Sequence, residues 1–324
     1  MRNILVVGGA GYIGSHIVKD LCEQNYHVIV YDNLSEGHRE AVKSGDFIQG
    51  DLNDSIALDS VFEKYKIDAV MHFAAFAYVG ESVANPEKYY KNNVVATINL
   101  FSSMLKYNVK NIIFSSSCTT YGIPQYTPID ENHPQNPISP YGNSKLMVEK
   151  IICDYHKAYD LRFMILRYFN AAGAHPDGSI GESHKTETHL IPLVLKTLTG
   201  EKENIAIFGS DYETPDGTCV RDYIHVCDLA AAHRISVETL FAGNESRCIN
   251  LGNGVGFSVK EIISICEKVT GMKVPAVISQ RRPGDPPFLT ASSNYKKYLP
   301  NFTPRYDIND IIKTAWEWEK NKKF

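Results

Sequence analysis

This chain predicts an α/β fold, a doubly wound parallel sheet joined to a smaller, mixed α/β part, and three observations carry that expectation. Short apolar runs of strand character alternate with helical segments through the first half, the pattern that builds parallel sheets. The first run opens directly into a glycine-rich turn and then a helical pattern. Beyond Asn170 the alternation fades, as expected where a sheet gives way to a ligand-binding part.

The elements follow in order. Residues 4–7 form an apolar strand that runs into Gly8-Gly9-Ala10-Gly11-Tyr12-Ile13-Gly14-Ser15, and a helical pattern continues through Ile17, Val18, Leu21 and Cys22. Glycines here let backbone approach a pyrophosphate, and the helix N-terminus offers free N–H groups and a positive dipole. The spacing is Gly-x-x-Gly-x-x-Gly (Gly8, Gly11, Gly14), and a plain turn is the competing reading. Residues 26–31 form a second strand ending in Asp32-Asn33. Asp32 stands 18 residues after Gly14, where a carboxylate accepts from an adenosine ribose and repels a 2′-phosphate. NAD is therefore favoured over NADP in a Rossmann-type start.

Residues 46–49 read as a strand closing in Gly50-Asp51-Leu52, and 57–65 as a helix. Residues 69–73 are a strand leading into Ala74-Ala75. Residues 89–107 read as one long helix with Asn92 and Asn93 near its start, and 111–114 as a strand running into Ser115-Ser116-Ser117. The glycine loop, Asp32, Ala74-Ala75 and Ser115–Ser117 all fall at strand ends, where ligands of such sheets bind.

A helix is predicted over 141–159, with Ser139 as its N-cap and Pro140 as its first residue. Tyr141 and Lys145, four apart, share a face of its first turns. A phenol titrates near ~10, and a fixed ammonium lowers that value by roughly 1–3 units. With a second cation nearby, the phenol becomes a general base for a hydroxyl proton. In a chain with 19 tyrosines such a pair also arises by accident, so context carries the reading. Ser117, ending the preceding strand, is placed to hold or relay the reacting oxygen.

In the second half, a helical segment begins at His189-Leu190-Ile191-Pro192, residues 205–208 form a short strand, and 226–240 return to the nucleotide part. The helix over 308–320 looks like packing. Arg221 and Arg282 are candidates to clamp a pyrophosphate with forked donors. The expected division is a nucleotide-binding part of residues 1–172 with about 222–248, and a substrate part of 173–221 with 249–324.

Composition excludes other classes. Hydrophobic content of 44% and charge of 22% are ordinary. A net charge of −4 argues against nucleic acid or an anionic membrane as main partner. Seven scattered cysteines without Cys-x-x-Cys spacing read as reduced thiols of a cytoplasmic protein, neither a disulfide frame nor a metal site. No run approaches the ~18 apolar residues of a membrane span, and residues 4–7 are too short to be a targeting segment.

Asp32-Asn33-Leu34, Gly50-Asp51-Leu52, His72-Phe73-Ala74-Ala75, Ser115-Ser116-Ser117 and Ser139-Pro140-Tyr141-Gly142-Asn143-Ser144-Lys145 together resemble the extended short-chain dehydrogenase/reductase superfamily. More narrowly, the chain resembles the UDP-glucose (UDP-galactose) 4-epimerase family. The similarity includes Val79-Gly80-Glu81-Ser82-Val83, Tyr168-Phe169-Asn170, the run 217–226 and Arg281-Arg282-Pro283-Gly284-Asp285. It implies a bound NAD against the glycine loop with Tyr12 and Ile13, against Asp32-Asn33 and Asp51-Leu52, and against Phe73-Ala74-Ala75, Asn92, Ser115 and Tyr168, besides Tyr141 and Lys145. It implies a UDP-sugar meeting Ser117, Tyr141, Asn170, His189, Leu190, Phe208 by the uracil, Arg221, Arg282, Asp285 by the uridine ribose, and Leu289. A homodimer through helices 89–107 and 141–159 is implied as well.

Sugar-nucleotide dehydratases of the superfamily carry Thr-Asp-Glu where this chain has Ser117-Cys118-Thr119, so 4-epimerisation is favoured over dehydration. Two departures stand out: Ala77 replaces a lysine that many of these epimerases place on the cofactor, and Leu289 stands where tyrosine excludes N-acetylated sugars and smaller residues admit them. The alternatives are a preference for UDP-N-acetylhexosamines or UDP-pentoses, and a non-catalytic NAD-binding regulator. UDP-glucuronate would need a cation that no residue evidently supplies.

Overall fold

The computed structural model describes residues 1–282, 284–292 and 294–324; Pro283 of the Arg281–Asp285 motif lies outside them. In chain order, β1 (Asn3–Val7), α1 (Tyr12–Glu23), β2 (His27–Asp32), β3 (Asp46–Gln49), α2 (Ser55–Lys64), β4 (Ala69–His72), α3 (Val79–Ala84), α4 (Pro86–Tyr89), α5 (Ala96–Lys106), β5 (Asn111–Ser117), α6 (Pro140–Tyr159) and β6 (Arg162–Tyr168) build the first half. They are followed by β7 (Asn170–Ala172), α7 (Leu190–Leu198), β8 (Ile205–Phe208), β9 (Val220–His225), α8 (Val226–Phe241), β10 (Arg247–Leu251), β11 (Gly256–Ser258), α9 (Val259–Thr270), β12 (Ala276–Ser279), β13 (Phe288–Leu289), α10 (Tyr295–Tyr298) and α11 (Ile308–Lys320).

Seven strands make one parallel sheet in the order β10-β6-β5-β4-β1-β2-β3. The chain order reverses between β1 and β4, a switch point that opens a crevice at the carboxyl ends of the strands. β1 is apolar on both faces because helices cover both: Ile4 and Val6 pack with α1 and α8, and Leu5 and Val7 with α2 and α5. Continuous apolar strands are what a doubly covered parallel sheet requires.

The remaining strands form two smaller groups. β9 pairs with β11, β13 and β7, and β8 pairs with β12. Helices α7, α9 and α11 share a third apolar core with them, through Ile191, Ile262 and Ile311. Strand β10 belongs to the seven-stranded sheet and runs to Leu251, whereas β9, from 220, lies in the smaller one.

Two elements differ from their expected form. The long helix over 89–107 is interrupted by a π-helical turn, Tyr90–Val95, between α4 and α5. There the Asn93 side chain turns inward, its amide oxygen accepting from Phe76 N (2.9 Å) and its amide nitrogen donating to Phe76 O (3.0 Å). Such turns re-aim a side chain at the cost of regular backbone bonds. The strand expected over 111–114 continues through Ser117, because Ser115–Ser117 keep pairing with Leu166–Tyr168 of β6, a strand the sequence did not signal.

Candidate active site

The glycine loop folds tightly for reasons visible in its backbone. Gly8 has φ +80, and a Cβ there would stand 2.4 Å from the backbone nitrogen of Ala74; one at Gly14 would stand 2.2 Å from the Gly8 carbonyl. At Gly11, the N-cap of α1, a Cβ would meet protein no closer than 3.5 Å. Gly8 and Gly14 are thus needed by the fold itself, while Gly11 keeps backbone bare toward the crevice. Behind the loop, Tyr12 is half-buried with its hydroxyl donating to Gly173 O at 2.6 Å, and Ile13 packs against the core.

An open cleft runs along the strand ends, where ligands of such sheets bind. Gly8 and Gly11 line it beside Asp32 and Asn33. Asp51 and Leu52 from the β3 end, Phe73, Ala74 and Ala75 from the β4 end, and Asn92 complete the wall. The Asp32 carboxylate accepts from Ala10 N (2.9 Å) and Leu34 N (2.8 Å) and is 8% exposed; burial pushes it up, and these bonds oppose that. Asn33 donates to Asp51 at 2.8 Å, tying two strand ends together. Ala77 is exposed beside this wall. Residues unforeseen in the sequence also line the cleft, among them Glu36, which accepts from Tyr78 OH, and Phe76, fixed by Asn93.

At the far end, Ser139 caps α6 by accepting from Gly142 N at 3.1 Å, and Pro140 is its first residue. Tyr141 and Lys145 therefore sit in its first turns. The Lys145 ammonium, 4% exposed, donates to the Ser115 carbonyl at 2.8 Å and lies 5.9 Å from the centre of the Tyr141 ring. Ser117 accepts from Thr119 N (3.2 Å) and Thr119 Oγ1 (3.0 Å), and its hydroxyl acts to hold the Tyr141 phenol down. Tyr168 OH pairs with Ser115 Oγ. Tyr89 meets Tyr141 edge-on at 6.5 Å, and its hydroxyl is held by Glu81 (2.7 Å) and Tyr78 O (2.8 Å).

Charge in this corner differs from the expected activation. Burial pushes Tyr141 up to about 12, opposed by the Ser117 hydrogen bond, and burial pushes Lys145 down to about 7, opposed by Glu149. The protein alone thus keeps the phenol neutral, since neither charge is welcome in a dry corner. A further cation beside Tyr141 is needed for the phenolate.

Across the crevice, the remaining expected residues fall into two groups. Arg221, on β9, donates to Pro286 O at 2.9 Å and pairs with Asp285, and the Arg282 guanidinium lies 4.0 Å over the Phe208 ring. Asn170 on β7 donates to Asp222 O at 2.7 Å, and Leu289 on β13 packs against the cluster that holds Cys118 and Phe169. His189, just before Leu190 at the start of α7, belongs to a cluster with Glu182, His184 and Glu187 whose four donor atoms lie within 4.8 Å of one another. His189 Nδ1 is 2.6 Å from Glu182, and His184 Nδ1 is 3.3 Å from Glu182 and 3.4 Å from Glu187. The two carboxylates raise His184 to about 9 and His189 to about 10 against burial, so the imidazoles carry the balancing charge. Glu182, His184 and Glu187 carried no recognisable spacing in the sequence.

Comparison with known proteins fits this geometry. A model of the NAD dependent epimerase/dehydratase family matches residues 4–252. The UDP-glucose 4-epimerase of Halalkalibacterium halodurans is 51% identical over 318 residues, 98% of this chain and 95% of that protein. The crystal structure of UDP-glucose 4-epimerase from Brucella ovis in complex with NAD superposes with a TM-score of 0.95 at 50% identity, covering 98% of each chain. The UDP-Glc/GlcNAc 4-epimerase of Campylobacter jejuni gives 0.87 at 41% identity, covering 99% of this chain and 100% of that one. With the glycine loop, the buried Asp32 carboxylate and the Ser117–Tyr141–Lys145 corner all at the carboxyl ends of one parallel sheet, and a match across three quarters of its length, the chain belongs to the NAD dependent epimerase/dehydratase family.

Proposed function

We propose that this protein is an NAD-dependent isomerase that interconverts UDP-galactose and UDP-glucose by epimerising C4 of the sugar. The observation that carries the reading is the corner of Ser117, Tyr141 and Lys145 at the end of the Asp32 cleft, with no carboxylate at 118 or 119. Relatives of that name at about half identity over nearly the full length support it.

The residues present fit the dinucleotide. Gly11 leaves backbone bare for a pyrophosphate, Asp32 retains acceptor capacity for ribose hydroxyls, and the buried corner lacks the second cation that Tyr141 requires. NAD held there would supply an acceptor and donor for the C4 hydride. Tyr141 takes the C4 hydroxyl proton and gives it back after the 4-keto sugar has turned its other face. Ser117 holds the reacting oxygen, and Lys145, anchored on Ser115, supplies fixed positive charge.

For the UDP-sugar, Arg221 and Arg282 hold the diphosphate, Phe208 stacks on uracil, Asp285 takes the uridine ribose, and Asn170, His189, Leu190 and Leu289 border the sugar. Leu289 favours a second substrate class, UDP-N-acetylhexosamines, because its side chain leaves room that a tyrosine would fill. We further place the protein in the cytoplasm as a homodimer through α5 and α6, on which Ile98 and Met147 are exposed; among the described residues no helix is long and apolar enough to cross a membrane. The nucleotide part then comprises the seven-stranded sheet and its helices, and the remainder carries the UDP-sugar.

The test is purified protein with UDP-galactose and no added NAD, with the nucleotide sugars separated chromatographically. Formation of UDP-glucose that disappears in Tyr141→Phe is the expected result. No conversion of any UDP-sugar, even with NAD supplied, overturns the reading.

A further inference from the structure

Glu149 lies one turn beyond Lys145 on α6 and is 3% exposed. Burying a carboxylate and a guanidinium together is no route to stability, since desolvation offsets most of their attraction; a pair kept in this place needs another reason. Arg167 of β6 grips the Glu149 carboxylate with two groups, Nε to Oε1 at 2.9 Å and Nη2 to Oε2 at 2.7 Å. Ser116 Oγ donates to Oε1 at 2.5 Å and Gln135 Nε2 to Oε2 at 2.9 Å. Arg167 Nη1 reaches Tyr121 OH at 2.9 Å, which donates to Asn250 of β10 at 2.6 Å.

Two of the anchors are chain neighbours of the reacting corner. Ser116 lies between Ser115, which receives Lys145, and Ser117, which meets Tyr141. Arg167 precedes Tyr168, which bonds Ser115. We propose that Glu149, held by Arg167, is a positioning residue for the epimerase reaction: it fixes the seating of α6 on β5 and β6 and provides the negative charge that keeps Lys145 an ammonium.

The groups around Lys145 leave this task to Glu149. From β5 it meets a neutral carbonyl, and from β4 it meets His72, which burial pushes down to about 3 and so keeps uncharged. From β6 come the neutral Tyr168 phenol and, on the far side of Glu149, the Arg167 guanidinium paired with it, while its own helix supplies Tyr141 and Glu149. Among the described residues Glu149 is the one anion acting on the ammonium, and it opposes the burial that pushes Lys145 down to about 7.

The inference rests on the epimerase reading, and the experiment separates the two. Epimerisation is followed from pH 5 to 10 for NAD-loaded wild type, Glu149→Gln, Glu149→Asp and the double variant Glu149→Gln/Arg167→Met. The double variant removes the unpaired guanidinium that Glu149→Gln alone would leave buried, which protects folding. Glu149→Gln, which leaves the Arg167 guanidinium unbalanced, is expected to lose activity on the alkaline side about one pH unit earlier than wild type, about a tenfold loss there; the double variant, which removes both charges of the pair, is expected to shift less, and Glu149→Asp to restore most of the loss. An alkaline limb that stays in place while kcat falls evenly overturns the inference and leaves the pair a structural role alone. If wild type converts no UDP-sugar, the epimerase reading fails; NMR titration of the Lys145 Nζ in wild type and Glu149→Gln then decides the electrostatic claim by whether the amine deprotonates earlier.

Discussion

Lys145 spends a hydrogen bond on the backbone carbonyl of Ser115, at 2.8 Å, and not on the phenol of Tyr141, whose ring centre lies 5.9 Å from the ammonium. Its influence on Tyr141 is therefore one of fixed charge, and Ser115 determines where that charge sits. Replacing Lys145 by Met is expected to lower kcat by about 10²–10³-fold with little change in KM for the UDP-sugar, within the range that loss of general acid–base support produces. Steady-state kinetics beside Tyr141→Phe checks this, and an unchanged kcat would remove Lys145 from the mechanism.

The phenol's own ionisation gives a direct readout. In cofactor-free protein Tyr141 is held up to about 12 by burial, so no phenolate forms near neutral pH. Loading with oxidised NAD is expected to move one tyrosinate transition to lower pH by about 1–3 units, a shift absent in Tyr141→Phe. Difference spectroscopy across pH, with and without the cofactor, measures it.

Two glycines of one loop should behave in opposite ways. Gly8→Ala combines a positive φ with a Cβ 2.4 Å from Ala74 N, and is expected to destabilise the protein by about 2 kcal/mol or more. Gly11→Ala has room within the protein and should fold with near-normal Tm, yet release its NAD. Thermal melts and the NAD content of the purified variants separate the outcomes; normal NAD retention in Gly11→Ala would mean that the pyrophosphate lies elsewhere.

The Glu182–His184–Glu187–His189 cluster predicts a one-sided pH response. Its histidines are raised to about 9 and about 10, so their contribution is complete below the unfolded value near ~6.5 and is lost as pH rises through the folded values. Its carboxylates are lowered, so their share is complete above ~4.5 and lost in acid. Tm should fall between pH 7 and 10, and His184→Gln should flatten that fall. His189 is half exposed, and solvent weakens its share to within about 1 kcal/mol. A slope unchanged in His184→Gln would show that the cluster does not couple folding to protons.

Leu289 bears on substrate breadth. With its side chain on the cluster beside Cys118, Leu289→Tyr is expected to reduce turnover of UDP-N-acetylgalactosamine at least about tenfold while sparing UDP-galactose, a discrimination of about 1.4 kcal/mol or more. Comparable losses on both sugars, or no UDP-N-acetylgalactosamine turnover in wild type, would refute it.

The first half of this molecule was legible because helices cover both sheet faces and leave continuous apolar runs such as residues 4–7 and 111–114, punctuated by glycine and serine at strand ends. Ser139 and Pro140 marked the start of α6 correctly because cap chemistry is local. The break in the 89–107 helix was not legible: it depends on Asn93 reaching Phe76, 17 residues away. Strands β7, β11 and β13 are only two or three residues long and too short for any period to register. The expected tyrosine–lysine activation named two residues that do stand in one buried corner, but not their charge state, since burial depth is written in no short stretch of chain.

Strand β10 sits at the outer edge beside β6, though about 80 residues separate them. The nucleotide sheet is therefore finished only after β7, α7, β8 and β9 have been made, and the chain must leave the sheet and come back to complete it. During synthesis, strands β1 to β6 emerge with one edge unpaired until Arg247–Leu251 arrives. A chain cut short between β6 and β10 would keep the glycine loop, Tyr141 and Lys145, but expose the edge of β6 and leave Tyr121 without Asn250. Cofactor binding and substrate binding in this protein cannot be separated by scissors.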